Sequence, residues 1–401
     1  MNRDSSRLIL KQGREVPIER RHPWIFSGAV AKISGNPKSG ETVQVFSDTG
    51  DALGSACFSP SSKIRARMWS WDPQEEIDKD FFEAKLRIAI NTRKILLNFS
   101  NASTNAYRLI YAESDFLPGL IVDIYANFLV VQYLSTGAEY WRGEIADVLE
   151  KITGIKNIYE RSDVEARRLE GLTQNKGVIK GEQPPVHIEI NENGLRFLVD
   201  ISHGQKTGFY IDQRVNRKKI LNYTKGKNIL DCFCYTGAFT VYAIQGKAKH
   251  ITSIDSSSEV LALAIENCSL NYPNYCDLDW IKGNVFQELR KFRDSNTKFD
   301  LIVLDPPKFA PTARQAQRGA RGYKDINLLA FKLLNPSGIL FTFSCSGGVS
   351  SELFQKIVAG AALDAGVKVQ ILEKLHQSPD HPVGLHFPEG EYLKGLICRI
   401  I

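Results

Sequence analysis

Ile229-Leu230-Asp231-Cys232-Phe233-Cys234-Tyr235-Thr236-Gly237-Ala238-Phe239-Thr240 reads as an apolar strand, a turn of small residues and the start of a helix. From about residue 195 the chain repeats that rhythm. Strands are expected at Asn228 to Asp231, His250 to Asp255, Asp279 to Lys282, Asp300 to Asp305, Gly338 to Phe343 and Val367 to Leu372. Helical stretches fall between them, including Glu259 to Leu270 and Ile326 to Leu334. Apolar strands alternating with helices indicate an α/β architecture, a mostly parallel, doubly wound sheet of Rossmann-like type.

The turn departs from the G-x-G-x-x-G pattern, because only Gly237 is present. A dinucleotide pyrophosphate requires close backbone approach over several glycines, so a nucleotide lacking phosphates fits better. Asp255 closes the next strand, where an acid accepts hydrogen bonds from ribose hydroxyls. Asn284 follows the third strand and is placed to bond an adenine edge. An acid at a strand end is common in any βα fold. The ordered set of Asp231, Gly237, Asp255, Asn284 and Asp305-Pro306-Pro307 says more: it looks like the S-adenosylmethionine pattern of class I methyltransferases. Phe233 and Thr236 in the turn, and Ser256 beside Asp255, complete the cofactor set expected from this half.

Two further strands end in chemically useful groups. Leu301-Ile302-Val303-Leu304 runs into Asp305-Pro306-Pro307-Lys308-Phe309, and Ile339-Leu340-Phe341-Thr342-Phe343 runs into Ser344-Cys345-Ser346. Residues just beyond the carboxyl ends of strands in an open α/β sheet face one crevice. An acid and a thiol together suit methylation of a pyrimidine at carbon 5. The thiolate adds to C6, an acid handles the ring nitrogen N3, and C5 becomes nucleophilic enough to attack a sulfonium methyl. Cysteine is often simply a small core residue. Here the flanking serines and glycines suit an exposed loop, and a nearby cation, with Lys308 as candidate, would lower the thiol pKa. Burial beside the base would raise the pKa of Asp305 so that it donates or shares a proton. Phe309 or Tyr210 would hold the unstacked base, or equally well pack a core.

The 401-residue length suggests two or three domains, and a composition 43% hydrophobic and 24% charged is that of a globular protein. The polar N-terminus and the absence of a long apolar run point to a cytoplasmic protein with no membrane segment. Seven cysteines at irregular spacing indicate reduced thiols, and no second pair lies at zinc-finger spacing from Cys232-Phe233-Cys234, so no metal is expected. Residues 1–75 read as short strands punctuated by turns, a small β-barrel. A helix at Phe81 to Leu97 and strands around Leu120 to Ile124 and Phe128 to Leu134 form an α+β unit over 76–190, before a third domain over 191–401.

The net charge of +6 mildly favours an acidic partner. Lys63, Arg65 and Arg67 share one face of a strand by period-two spacing. Arg20-Arg21 adds charge in the same domain. Further clusters occur at Arg167-Arg168, at Arg214 with Arg217-Lys218-Lys219, and at Arg314, Arg318, Arg321 and Lys324. Any one of these is usually a solvated face. Their recurrence favours phosphate contacts, with Arg21, Lys63, Arg65, Arg67, Lys308, Phe309, Arg321 and Lys324 as the expected RNA-binding residues.

Longer motifs extend over nearly the whole chain. They are Arg21-His22-Pro23-Trp24-Ile25-Phe26-Ser27-Gly28, Tyr107-Arg108-Leu109-Ile110, Thr207-Gly208-Phe209-Tyr210-Ile211-Asp212-Gln213-Arg214, Arg321-Gly322-Tyr323-Lys324-Asp325-Ile326-Asn327 and Phe343-Ser344-Cys345-Ser346. With Asp305-Pro306-Pro307-Lys308-Phe309 they resemble the bacterial 23S rRNA 5-methylcytosine methyltransferases, the ribosomal RNA large subunit methyltransferase I family. The resemblance implies an N-terminal PUA domain, a central α+β linking domain and a C-terminal Rossmann-like catalytic domain. It implies S-adenosyl-L-methionine as cofactor and 23S rRNA or a large-subunit precursor as partner, and it admits a homodimer. Cys345 would be the nucleophile and Asp305 would sit at the base edge. Phe209, Asp212 and Gln213 would lie against the methionine end of the cofactor.

Two departures stand out. Many RNA 5-methylcytosine enzymes carry a second cysteine after the Asp-Pro-Pro-like turn, whereas Lys308 and Phe309 follow here, leaving water as the expected base for the C5 proton. Position 284 is Asn where an acid is common. Two other readings are methyl transfer to a base nitrogen, which needs no cysteine, and an inactive RNA-binding assembly factor.

Overall fold

The computed structural model describes residues 6–97, 103–310 and 315–401. These fall into two units, one built from 1–190, 199–211 and 379–390, the other from 191–198, 212–378 and 391–401.

The first unit contains two sheets. The N-terminal one has six strands in the order Trp24–Phe26, Ile64–Ser70, Ala52–Phe58, Thr42–Phe46, Arg7–Leu10 and Val30–Ser34. Leu8, Leu10, Val43, Val45, Ala56 and Met68 are almost fully buried and close its core. The strands of this sheet unexpected from sequence are Trp24–Phe26, only three residues long, and Val30–Ser34, whose Val30 and Ile33 are only partly buried against the core. The second sheet has five strands, ordered Asn175–Lys180, Asn157–Ser162, Phe128–Tyr133, Leu120–Tyr125 and Ala106–Tyr111. The helices Lys79–Leu97 and Arg142–Thr153 contribute Phe82, Leu86, Ile145 and Leu149 to its core.

Buried charge marks the junction of these sheets. From Ala66 onward every residue of Ile64–Ser70 is buried, so period two does not separate a wet face from a dry one. Arg67 is accordingly not presented to solvent with Lys63 and Arg65. Its guanidinium donates to both carboxylate oxygens of Glu170, at 2.7 and 2.8 Å, and Ser59 and Ser62 donate to the same carboxylate. Removing one partner of such a pair leaves an uncompensated buried charge, which costs about 3–5 kcal/mol. Glu170→Ala should lower the unfolding free energy by that amount in urea titration; an unchanged midpoint would show that the pair does not hold this junction.

The second unit is the doubly wound half. Its strands are β1 (Asn228–Cys232), β2 (His250–Asp255), β3 (Leu278–Lys282), β4 (Phe299–Leu304), β5 (Leu334–Ser344), β6 (Val369–Leu375) and β7 (Lys394–Ile400). The helices between the strands are α1 (Ala238–Gln245), α2 (Ser258–Asn271), α3 (Val285–Asp294), α4 (Ala316–Leu333) and α5 (Ser351–Ala365). The strand order is β3-β2-β1-β4-β5-β7-β6. The first five strands are parallel, while β7 inserts antiparallel between β5 and β6. The strand expected at Val367 to Leu372 is therefore an antiparallel edge strand, and β7, not anticipated, lies beside β5. Leu230, Leu301, Ile302, Val303 and Leu304 are at most 0% exposed, as central parallel strands covered on both faces require.

Candidate active site

The carboxyl ends of β1, β2, β4 and β5 carry the candidate chemistry. Beyond β1 the chain turns through Phe233, Tyr235 and Gly237, all at positive φ (61°, 49° and 75°). At Gly237 an added Cβ would meet the Ala264 Cβ of α2 at 2.9 Å, so glycine is required both by conformation and by the close helix. Asp255 orders this turn: its carboxylate accepts from the Tyr235 N–H at 3.0 Å and the Ser257 N–H at 3.1 Å. Asn284 caps α3, its side-chain oxygen accepting from the Phe286 N–H at 3.0 Å. Ser256 is exposed beside Asp255.

Asp231 is buried and accepts from the Thr240 hydroxyl at 2.7 Å. Burial, with the charges of Asp305 and Asp255 adding to it, pushes its pKa from 3.8 up to about 7. Three carboxylates thus converge on a site that calls for positive charge and hydroxyl donors. The Thr236 hydroxyl is buried there with no hydrogen-bond partner among the described residues. An ammonium, a sulfonium and ribose hydroxyls match this donor set, so the residues fit S-adenosylmethionine.

The raised pKa has a consequence for stability. A carboxyl that binds its proton more tightly when folded destabilises the fold as pH rises from the unfolded value through the folded one. Without cofactor, Asp231→Asn and the wild type should match near pH 4, and the variant should lead by about 4 kcal/mol at pH 8. Parallel unfolding curves at both pH values would contradict this.

The acid and the thiol lie on neighbouring strands. β4 and β5 pair in parallel with Leu304 opposite Thr342, so Asp305 and the Ser344-Cys345-Ser346 segment emerge side by side. The two loops are stitched together: the Ala310 N–H donates to the Ser346 hydroxyl at 3.0 Å, and the Gly348 N–H to the Ala310 carbonyl at 3.2 Å. The Tyr323 hydroxyl of α4 lies 2.8 Å from the same Ser346 hydroxyl. Gln213 joins the site: its oxygen accepts from Asn216 at 2.7 Å, which aims its amide N–H at the Asp305 carboxylate, 3.0 Å away. Asp212 is buried and accepts from the Tyr392 hydroxyl.

The thiols sort themselves by environment. Cys57, Cys232, Cys234, Cys268 and Cys398 are buried, Cys276 is exposed and Cys345 is intermediate. Burial raises the Cys268 and Cys398 thiols to about 12, and burial with the Asp231 charge adding to it pushes Cys232 and Cys234 well above the ordinary thiol value. The Cys232-Phe233-Cys234 pair is therefore chemically quiet, which leaves Cys345 as the thiol at this end of the sheet. Sequence reading named Lys308 as its cation. Lys308 is exposed in the loop after β4. The structure adds Lys394 at the start of β7, opposite Ser344 in register, its ammonium donating to the Ser346 carbonyl at 2.8 Å. Gln213 was expected beside the cofactor, and the structure sets its amide on the Asp305 carboxylate; Tyr323 was given no role from sequence, and Lys394 was not singled out.

The expected RNA-facing residues divide. Lys308, Arg318 and Arg321 are exposed, and Phe309 packs 4.8 Å from the Tyr323 ring. Lys324 pairs with Asp364 at 2.7 Å. Arg167 and Arg217 are buried, held by Glu139 and Glu192 respectively, and Arg314 lies outside the described residues. In the first unit Arg21 and Lys63 are exposed, and Arg21 lies over the Trp71 ring at 5.7 Å. Arg65 donates to the Pro60 carbonyl. Phe209 also belongs to the first unit, where the Tyr125 hydroxyl accepts from its N–H at 3.2 Å. Thr207 donates to Asp123 at 2.6 Å. The Lys206 ammonium sits over the Tyr210 ring at 4.3 Å. A cleft of about 440 Å³ in this unit is lined by Arg14, His22, Trp24 and Phe26 among others and has no carboxylate or thiol in its wall.

Among the described residues no cluster of three or more His, Cys, Asp or Glu is placed to hold a metal ion, and no helix is long and apolar enough to cross a membrane.

Comparison with known proteins agrees with this geometry. Residues 176–390 match the S-adenosylmethionine-dependent methyltransferase family and residues 8–71 the PUA-like domain. A ribosomal RNA large subunit methyltransferase I of Tolumonas auensis is 50% identical over 398 residues, covering 99% of this chain and 100% of its own. Its Escherichia coli counterpart (strain SMS-3-5 / SECEC) is 47% identical over 397 residues, with 99% and 100% covered. Among solved structures, a methyltransferase candidate complexed with SAH superposes with a TM-score of 0.85 at 22% identity, over 98% of this chain and 99% of that one. A SAM-dependent methyltransferase candidate from Streptococcus mutans gives 0.83 at 22% identity, with the same coverage. Those two share the fold.

Proposed function

The chain belongs to the ribosomal RNA large subunit methyltransferase I family of S-adenosylmethionine-dependent enzymes, and from that premise we propose that it methylates carbon 5 of a cytosine in 23S rRNA through a covalent Cys345 adduct. One observation carries the reading. An acid and the half-exposed thiol leave the carboxyl ends of adjacent parallel strands, with their loops bonded through Ala310 and Ser346.

The roles follow from the chemistry of the ring. The Cys345 thiolate forms a bond to C6, and electron density moves to C5 and N3. Asp305, steadied by the Gln213 amide, gives or shares a proton at N3. Bound S-adenosylmethionine supplies the electrophilic methyl group, with Asp231, Asp255, Thr236 and the Phe233 to Gly237 turn as its holding residues. Loss of the C5 proton, to water in the absence of a nearby second thiol, then lets the C6–sulfur bond break and returns the Cys345 thiolate. To reach such a site the cytosine must leave its stack. Lys308, Arg318 and Arg321 are exposed where they could meet the flanking phosphates, and Phe309 offers a ring face. Residues 1–75 would serve as a second RNA-docking module and 76–190 as its link to the catalytic part.

The test is incubation with methyl-labelled cofactor and unmodified 23S rRNA, followed by nucleoside mass spectrometry. Label in 5-methylcytidine is expected. Label in a methylated guanosine or adenosine would overturn the reading and make Cys345 structural.

A further inference from the structure

Lysine rarely goes into a protein interior without a carboxylate. Lys394 is only 7% exposed, and no ion pair holds it among the described residues. The hydrogen bond to the Ser346 carbonyl, at 2.8 Å, is the single one its ammonium makes there. It opens β7, the strand inserted antiparallel beside β5, and register sets it opposite Ser344. Ser344 and Ser346 flank Cys345, and the Ser346 N–H donates to the Ser344 hydroxyl at 3.3 Å, which tightens the bend that carries the thiol. A buried cation is thus fastened to the residue after Cys345 and paired with the residue before it. On the far side the Tyr323 hydroxyl and the Ala310 N–H hold the Ser346 hydroxyl. The bend cannot swing away from the ammonium without breaking all three contacts.

We propose that Lys394 is a positioning residue that poises Cys345 as a thiolate, a role resting on the assignment of Cys345 as nucleophile. Deprotonation of the thiol, with the proton going to solvent, converts a lone buried ammonium into an ammonium–thiolate pair. An opposite charge within about 4–6 Å lowers a thiol pKa by about 1–3 units. The other groups facing this bend are Tyr323 from α4, Asp305 and Lys308 from the segment after β4, and Glu391 just before β7. Lys308 is exposed and therefore screened, and Glu391 is exposed as well. Burial pushes the Lys394 pKa down, and the Cys345 and Glu391 charges push it back up.

Iodoacetamide alkylation between pH 6 and 10, read by mass spectrometry of the Cys345 and Cys276 peptides, tests this in the full chain without RNA. In the wild type the Cys345 midpoint is expected about one pH unit or more below that of the exposed Cys276. Lys394→Met should remove that difference and slow Cys345 alkylation at pH 7 about tenfold, while Lys394→Arg keeps both near wild type. Methyl transfer by Lys394→Met should fall at pH 7 and recover towards wild type at pH 9. A wild-type Cys345 that titrates with Cys276 would overturn the proposal even if Lys394→Met does not fold. So would a Lys394→Met profile that superimposes on the wild type, or a larger shift in Lys308→Met. Failure of the cytosine-C5 reading shows separately, as an active Cys345→Ala enzyme, and leaves the alkylation profiles unchanged.

Discussion

Cys345→Ala is expected to lower methyl transfer to 23S rRNA by about four orders of magnitude or more, with cofactor affinity within about twofold of wild type. The size follows from the chemistry. Without addition at C6, cytosine C5 is a poor nucleophile, and binding or proximity does not replace a missing covalent step. The cofactor side should be spared. The residues proposed to hold it lie at the ends of β1 and β2, whereas Cys345 follows β5 and contributes to the bend bonded by Ala310, Tyr323 and Lys394. Those contacts use Ser346, so an alanine at 345 leaves the bend intact. Cofactor titration by calorimetry and turnover by label incorporation separate the two quantities. An alanine variant retaining a tenth of wild-type turnover would remove the covalent mechanism.

Asp305→Asn should reduce turnover by about 10²–10⁴-fold, the usual range for loss of a general acid or base. The asparagine oxygen still accepts from the Gln213 amide, which now bonds Asp305 at 3.0 Å, so packing and loop position are preserved. What is lost is the proton at N3. The fall should appear in kcat more than in KM, because protonation strengthens in the transition state while the neutral ring binds much as before. An equal fall confined to KM would make Asp305 a binding residue only.

The parallel half of the second unit was legible because its strands are mainly apolar stretches that stop at candidate site residues. Asp255, Asp305 and Cys345 each sit at or just past such a stop. β7 was not, since its place in the sheet depends on a return from the far end of the chain to lie beside β5. With it went Lys394, whose meaning arises only from the pairing with Ser344. The basic clusters misled for a related reason. Arg67, Arg167 and Arg217 look like surface cations in one dimension, but Glu170, Glu139 and Glu192 neutralise them in the interior. Period-two spacing marks a wet face only when one side of the strand is open, and Ile64–Ser70 is covered on both.

The most direct test of the central claim is trapping of the adduct. A 23S rRNA transcript carrying 5-fluorocytidine has no C5 proton to lose after methylation, so the enzyme should remain joined to it. With cofactor present, a protein–RNA band resistant to denaturation is expected, with the nucleotide mass on the peptide containing Cys345 and no band for Cys345→Ala. Release of fluorinated transcript without any adduct, by an enzyme that forms 5-methylcytidine in the natural one, would contradict covalent catalysis by Cys345.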